Sequence, residues 1–160
     1  MHNSHPKIFS LFVFFVIMVS SCSESSHPEL TGVWEIEELK ITMNTFNNSD
    51  STEVIEANGK NWETKMKSRN IRTYYKSDGT YHSVHKDLND NITYDPAGRW
   101  KIIKDSLIVQ DTFPKPVTYK FKIILREDFV EYWGLEDFDQ DGNADDEYYS
   151  KQRRIGGNRK

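Results

Sequence analysis

Apolar and polar residues alternate along most of the chain after residue 30, and no helical period of useful length runs through it. The clearest case is residues 116–125, where Tyr119, Phe121 and Ile123 fall on one face and the lysines between them fall on the other. This period of two predicts a strand that is half buried in an antiparallel sheet. Further short runs rich in β-branched and aromatic residues lie at 30–42, 61–67, 70–76, 80–86, 98–103, 106–111, 128–135 and 146–155.

Short connections join several of these runs, which predicts hairpins between successive strands. Asp78-Gly79 suits a tight turn that needs a positive φ, and Lys104-Asp105 and residues 126–128 predict two more turns. Eight or nine strands in an up-and-down order would leave two exposed sheet edges. Closure of the sheet into a barrel removes both edges.

We therefore predict an all-β domain at residues 30–155, an antiparallel up-and-down β-barrel of about eight or nine strands, followed by a tail at 156–160. Residues 43–59 interrupt the alternating pattern. They are expected to form a long loop that carries a short helix at 52–57. Long loops in compact domains are often binding loops or lids.

The first 21 residues form an apolar leader. Lys7 supplies a positive charge, and the 12 residues from 8 to 19 are apolar except for Ser10. That run is too short for a membrane-spanning helix, which needs about 20 residues, but it suits the apolar part of a signal peptide. Residues 1–21 are therefore predicted to direct export.

The leader ends in Val19-Ser20-Ser21-Cys22, which resembles the bacterial lipobox. The resemblance implies cleavage before Cys22, a diacylglycerol group on its sulfur and acylation of the new amine. Residues 22–29 would then be an acylated, flexible tether. By resemblance to the sorting rule of enteric bacteria, Ser23 favours the outer membrane. The alternative is an ordinary secretory signal followed by a chance cysteine.

Composition narrows the possible partners and chemistry. The chain has 21 Lys and Arg against 25 Asp and Glu, a formal net charge of −4, which argues against a nucleic-acid binder. An acidic body is not drawn to anionic lipid, so the acyl chains would provide the anchoring. Cys22 is the only cysteine, which excludes an intrachain disulfide and a cysteine zinc cluster. No Gly-x-Ser-x-Gly, HExxH or Walker-type segment is present, so we expect a non-catalytic protein.

The start of the barrel region, Leu30-Thr31-Gly32-Val33-Trp34, resembles the Gly-x-Trp opening of the lipocalin family. Residues 75–81, 98–102 and 105–109 are similar to segments of the small lipocalin-like domains found in bacterial lipoproteins. The resemblance implies a lipocalin-like barrel. The family's usual C-terminal helix has no counterpart in residues 156–160.

The same resemblance implies how one end of the barrel is closed. In lipocalins the tryptophan of the Gly-x-Trp opening covers that end, and a basic residue of the last strand packs across it. Gly32 and Trp34 match the opening, and Arg153 and Arg154 stand at a suitable place in the last strand. A guanidinium over an indole face contributes about 0.5–2 kcal/mol.

The interior of an eight-stranded barrel can hold one small ligand or be filled by side chains. Trp100, Tyr119, Phe121 and Trp133 are candidates to line a cup for a small apolar ligand. Carriage of such a ligand is the leading hypothesis for function. The alternative is a filled barrel that presents the loops at 43–59 and 137–147 to a protein or glycan partner.

Residues 137–145, Asp-Phe-Asp-Gln-Asp-Gly-Asn-Ala-Asp, resemble the DxDxDG calcium loop. Oxygen ligands at alternate positions can surround a hard cation, and glycine permits the sharp turn. Tyr148 occupies the position of the usual bidentate Glu, so Asp146 or Glu147 would have to replace it. The other reading is an acidic hairpin loop without an ion. The candidate Ca²⁺ ligands are Asp137, Asp139, Asp141, Asn143 and Asp145.

Two further motifs carry less weight. His82 and His85 are three residues apart on a predicted strand, so they point to opposite faces and do not form a joint metal site. Residues 50–52 and 105–107 resemble the Asp-Ser/Thr-x glycosylation signal of some exported bacterial proteins. Such tripeptides also arise by chance.

Overall fold

A computed structural model describes residues 29–157. The leader at 1–21, Cys22, most of the tether at 22–29 and the last residues of the tail at 156–160 lie outside the described residues. Between residues 29 and 157, no helix has the length and apolar character needed to cross a membrane.

Eight antiparallel strands form a closed barrel, as the alternating pattern predicted. Neighbouring strands follow each other along the chain, and pairing between the first and the last strand closes the barrel. The sheet edges that an open meander would expose are thereby paired. These strands are β1 (Gly32–Met43), β3 (Arg72–Tyr75), β4 (Thr80–Lys86), β6 (Ala97–Ile103), β7 (Ser106–Phe113), β8 (Val117–Leu125), β9 (Phe129–Glu136) and β10 (Asp146–Gly156).

Two small strands extend the sheet, β2 (Glu53–Asn58) and β5 (Ile92–Tyr94). The expectation of a helix at 52–57 is wrong, because this segment is β2. β3 pairs with β1 only at residues 32–35, so the backbone of β1 at 38–43 offers a free edge that β2 occupies. β5 pairs with the end of β4.

A short helix, α1 (Trp62–Met66), replaces the strand predicted at 61–67. Trp62 and Met66 are four residues apart and therefore share one face of the helix, which packs on the core. The indole nitrogen of Trp62 donates to the carbonyl of Arg69 at 3.1 Å. Lys67 ends the helix in the left-handed region, at φ 53°. The helix thus brings both apolar side chains against the core within five residues, a shorter segment than a strand would need.

β1 contains a bulge at Glu37, where Ile36 pairs with Gln152 and Glu38 pairs with Lys151. Glu37 is the extra residue. Before the bulge Trp34 and Ile36 face inward, and after it Leu39, Ile41 and Met43 do. The bulge therefore keeps both halves of the strand's apolar set inside the barrel.

The interior contains two packed clusters. One end of the barrel carries Trp34 and the turns at 76–79, 104–105 and 126–128, and is called here the Trp34 end. The first cluster contains Trp34 and lies towards this end. The opposite end, called here the far end, carries the turns at 114–116 and 137–145. The second cluster lies beneath β2 and α1 and consists of Ile36, Leu39, Ile41, Met43, Ala57 and Trp62.

Candidate functional site

The Trp34 end of the barrel is closed by a stacked pair of side chains. Trp34 is fully buried, and its indole nitrogen donates to the carbonyl of Leu30 at 2.8 Å. The guanidinium of Arg154 lies 4.2 Å from the centre of a Trp34 ring. Gly32 adopts φ 145°, and a Cβ at that position would overlap the Arg154 guanidinium. Glycine therefore leaves the space in which the arginine lies.

Arg153 does not take part in this closure, which corrects half of the arginine prediction. Successive side chains of a strand point to opposite faces, so Arg153 faces the solvent when Arg154 faces the interior. Arg153 instead forms an exposed ion pair with Glu37 at 2.6 Å. Its position therefore belongs to the outer wall of the barrel.

Trp100 lies inside the barrel, within the cluster near the Trp34 end. Its indole nitrogen donates to the carbonyls of Lys76 at 3.1 Å and Thr80 at 3.0 Å. Its ring meets Tyr75 edge to face at a centroid distance of 5.4 Å. Because its ring and its polar atom both have protein partners, Trp100 is a packed core residue of the Trp34 end.

Tyr119 and Phe121 point inward from β8 but are only half buried. Their rings are stacked at a centroid distance of 6.1 Å. Ile123, the next inward residue towards the Trp34 end, is buried. On the inner face of β8, Ile123 is thus closely packed, whereas Tyr119 and Phe121, nearer the far end, stay partly accessible.

Asp111 lies beside these aromatics on the inner face of β7, following Leu107 and Val109. The residue is 4% exposed, and its Oδ1 atom is buried without a hydrogen-bond partner among the described residues. This burial raises the pKa of the Asp111 carboxyl to about 6. Burial, and then the charge of Asp111, raise the pKa of the Tyr119 hydroxyl.

Other polar side chains of the interior are paired with one another. The hydroxyls of Thr73 and Ser83 lie 3.1 Å apart, and the Tyr148 hydroxyl donates to Ser150 at 2.8 Å. Buried polar groups in proteins normally have such partners. Asp111 departs from this rule, because its Oδ1 has no such partner among the described residues.

Trp133 is not part of the inner wall, contrary to the sequence prediction. On β9 the inward positions are Val130 and Tyr132, so Trp133 faces outward. Its ring contacts Tyr149 at a centroid distance of 5.5 Å. Together with the exposed Leu135, these side chains border an outer groove of about 490 Å³.

The turn between β9 and β10 contains the five candidate calcium ligands. Its carboxylates fold back on the turn's own backbone: Asp137 accepts from the N–H groups of Asp141 at 3.0 Å and Gly142 at 3.1 Å. Asp141 accepts from the N–H of Asn143 at 2.8 Å. Carboxylate oxygens of Asp137 and Asp139 come together with one of Asp146, whereas the candidates Asp141 and Asp145 are not part of that group of carboxylates.

The two histidines point to opposite faces of β4, in agreement with their spacing. His82 stacks on Tyr74 at a centroid distance of 4.4 Å on the outside. His85 meets Tyr94 edge to face at 5.2 Å, and burial lowers its pKa. Neither geometry brings the two imidazoles together.

Asp111 and Asp146 are the two site residues that the sequence did not single out as primary candidates. The alternation in residues 106–111 places Asp111 on the same face as Leu107 and Val109, so the pattern already contained the signal. Asp146 required knowledge of how the turn folds back on the start of β10.

No protein-family model matches this sequence, and a search of curated proteins finds no match. The closed eight-stranded barrel and the residues at its two ends are therefore the features that bear on function.

Proposed function

We propose that this chain is an exported, lipid-anchored, lipocalin-like barrel that binds a small, mainly apolar ligand at its far end, without catalysing a reaction. One observation carries the proposal. The inward aromatics Tyr119 and Phe121 pack against the cluster that contains Trp34 but stay only partly buried inside the closed wall. Accessible aromatic surface inside a barrel is what a small ligand would cover.

The chemistry of the inner wall suggests the shape of that ligand. An apolar or aromatic body would lie against Tyr119 and Phe121, where burial of apolar surface contributes about 25 cal/mol per Å². A hydrogen-bond donor on the ligand would meet the unpartnered oxygen of Asp111. Such a contact would satisfy a buried polar atom, which is costly when it is left unpaired.

A fluorescent probe tests this binding mode. N-phenyl-1-naphthylamine suits the purpose because it is neutral, aromatic, carries one N–H donor and brightens in apolar surroundings. The titration would use residues 22–160 with Cys22→Ser, because the barrel closes between β1 and β10 without residues 1–28. We expect saturable binding that Phe121→Trp weakens by roughly tenfold, since the larger side chain fills the space.

Trp133→Phe is the matched control, because it also changes an aromatic residue but on the outer wall. It should leave the affinity for the probe unchanged. Equal losses in both variants would contradict an internal site. If the parent chain binds no probe, the filled barrel that presents loops 43–59 and 137–147 to a partner becomes the better hypothesis.

The lipid anchor rests on the sequence around Cys22 and has its own test. Mass spectrometry of the chain purified from membranes of its host should show a chain that begins at Cys22 and carries three acyl groups, or two where the amine remains free. Cys22→Ser should shift the protein out of the membrane fraction. Recovery of the unprocessed chain with a free thiol would contradict the anchor and the outer-membrane location together.

A further inference from the structure

The turn between β9 and β10 has a concentration of negative charge that nothing in the nearby sequence offsets. Residues 136–147 include seven acidic residues, and no Lys, Arg or His occurs between Arg126 and Lys151. Like charges this close repel one another and favour the unfolded turn. The turn is nevertheless compact, with its carboxylates folded inward.

Three carboxylates of the turn converge on one point. One oxygen from each of Asp137, Asp139 and Asp146 lies within 4.8 Å of the other two. Oxygen ligands of Ca²⁺ lie about 2.3–2.6 Å from the ion, so two ligands of one ion are at most about 5 Å apart. The spacing of the three oxygens is therefore compatible with a single hard cation between them.

Asp146 provides a second, independent observation. It is 0% exposed, and its Oδ2 accepts the N–H groups of Phe138 at 2.6 Å and Asp139 at 3.3 Å. Its Oδ1 is also buried but has no hydrogen-bond partner in the described part of the chain. A fully buried carboxylate with one satisfied and one unsatisfied oxygen is costly unless a cation compensates it.

Two neighbouring aspartates of the turn also bury a carboxylate oxygen. Oδ2 of Asp141 and Oδ1 of Asp145 are likewise buried and lack partners within residues 29–157. Three of the six such side-chain atoms found in the described structure thus fall in this one turn. Their concentration points to a missing positive charge at this place.

We propose that the turn binds a calcium ion, with Asp137, Asp139 and Asp146 as its carboxylate ligands. All three donors are oxygens, which excludes the nitrogen and sulfur ligands that Zn²⁺ prefers. Ca²⁺ takes six to eight oxygens in a flexible arrangement, whereas Mg²⁺ needs a near-octahedral set and retains several waters. A hairpin turn rich in carboxylates suits the larger ion.

The ion would also stiffen the far end of the barrel. Thr45 donates to Asp145 and Asn48 donates to the carbonyl of Asp141, each at 3.3 Å, so the turn is linked to the loop after β1. Both bonds are long and exposed, and they would be held in place once the turn is ordered by the ion. Calcium binding therefore couples two loops that border the same end.

Thermal unfolding of the full chain in detergent micelles provides the test. The protein is freed of ions with a chelator, dialysed and melted with and without about 2 mM CaCl₂, a concentration typical of extracellular sites. We expect one ion per chain by calorimetry and a rise in Tm of roughly 5 °C or more. Absence of both heat and a Tm shift would overturn the proposal, as would an equal shift with MgCl₂.

Asp146→Asn gives a signature that a structural role alone would not produce. The amide keeps an acceptor for the two N–H groups but removes the buried charge. Without calcium the variant should melt at the same temperature as the parent chain or higher, and with calcium it should melt lower, because it gains no stabilisation. Asp105→Asn, in an exposed turn at the Trp34 end, is the matched control and should respond to calcium as the parent does. A normal calcium response in Asp146→Asn would contradict the site.

Discussion

The guanidinium of Arg154 lies 4.2 Å from the centre of a Trp34 ring, and backbone carbonyls of neighbouring segments hold it there. Its guanidinium and Nε donate to the carbonyls of Glu127, Thr31 and Glu29. A planar guanidinium can satisfy several acceptors in fixed directions and stack on an aromatic face at the same time. One side chain thus joins the segment before β1, the turn before β9 and the last strand.

Arg154→Ala should destabilise the barrel by about 2–3 kcal/mol, because it removes the contact with Trp34 and leaves backbone carbonyls without a donor. Arg154→Lys should recover only part of the loss, since an ammonium lacks the planar fork. Urea unfolding followed by tryptophan fluorescence measures both. Arg153→Ala, which breaks ion pairs with Glu37 and Glu35 on the outer wall, should cost less than about 1 kcal/mol. Equal losses at 153 and 154 would contradict the closure.

Deletion of Glu37 should prevent folding, whereas Glu37→Ala should be tolerated. The deletion removes the bulge, so Leu39 and Ile41 would move from the interior to the outer face of β1. The alanine variant keeps the bulge and loses one exposed ion pair with Arg153. Far-ultraviolet circular dichroism and size-exclusion chromatography distinguish the two results. A folded deletion variant would show that the bulge does not set the register.

Gly98→Ala should be strongly destabilising, because a Cβ at this position would overlap the carbonyl of Gln110 on the neighbouring strand. β6 and β7 would have to separate at their bulge, at a cost of roughly 3 kcal/mol or more. Gly59→Ala is the matched control, since a Cβ there meets no atom within 4 Å. Thermal melting of the two variants should differ clearly. Similar melting temperatures would indicate that β6 and β7 can shift apart at little cost.

Asp111→Asn should stabilise the ligand-free protein at neutral pH and have little effect near pH 3. Burial raises the pKa of the Asp111 carboxyl to about 6, so the folded state holds its proton more tightly than the unfolded state does. The stability that the protonated carboxyl contributes is therefore fully present below the pKa of the unfolded state, near 4. It is lost as the pH rises through about 6.

The Asp111→Asn variant has no carboxyl group at this position, so it does not lose this stability as the pH rises. We expect its free energy of unfolding to exceed that of the parent chain by about 1–2 kcal/mol at pH 8. Urea unfolding at several pH values gives the comparison. Asp105→Asn, at an exposed aspartate, is the matched control for the removal of one carboxylate. A constant difference between Asp111→Asn and the parent at all pH values would contradict the raised pKa.

The barrel was predictable because the alternation of apolar residues in strands such as β8 survives over many residues and leaves one consistent inner face. The same alternation also assigns Trp133 to the outer wall and Asp111 to the inner one. The prediction for Trp133 was wrong because it relied on the aromatic side chain, although the position of Trp133 in the strand is an outward one.

The missed elements depend on contacts that are distant along the chain. β2 is extended because the edge of β1 at 38–43 is free, and nothing within residues 53–58 reports that edge. α1 is short, so its two apolar residues give too little helical pattern to outweigh a strand reading. The meeting of Asp146 with Asp137 depends on how β9 and β10 pair, which fixes both ends of the turn.

Hydrogen bonds from Arg154 to the carbonyls of Glu29 and Thr31 hold the segment before β1 at the Trp34 end of the barrel. Residues 22–28 span at most about 25 Å when fully extended. If Cys22 is acylated, the end that carries Trp34 would be the end nearer the bilayer, and the acidic turn at the far end would be more distant from it. A ligand or ion that binds at the far end would then arrive from the surrounding water and not from the lipids that hold the protein.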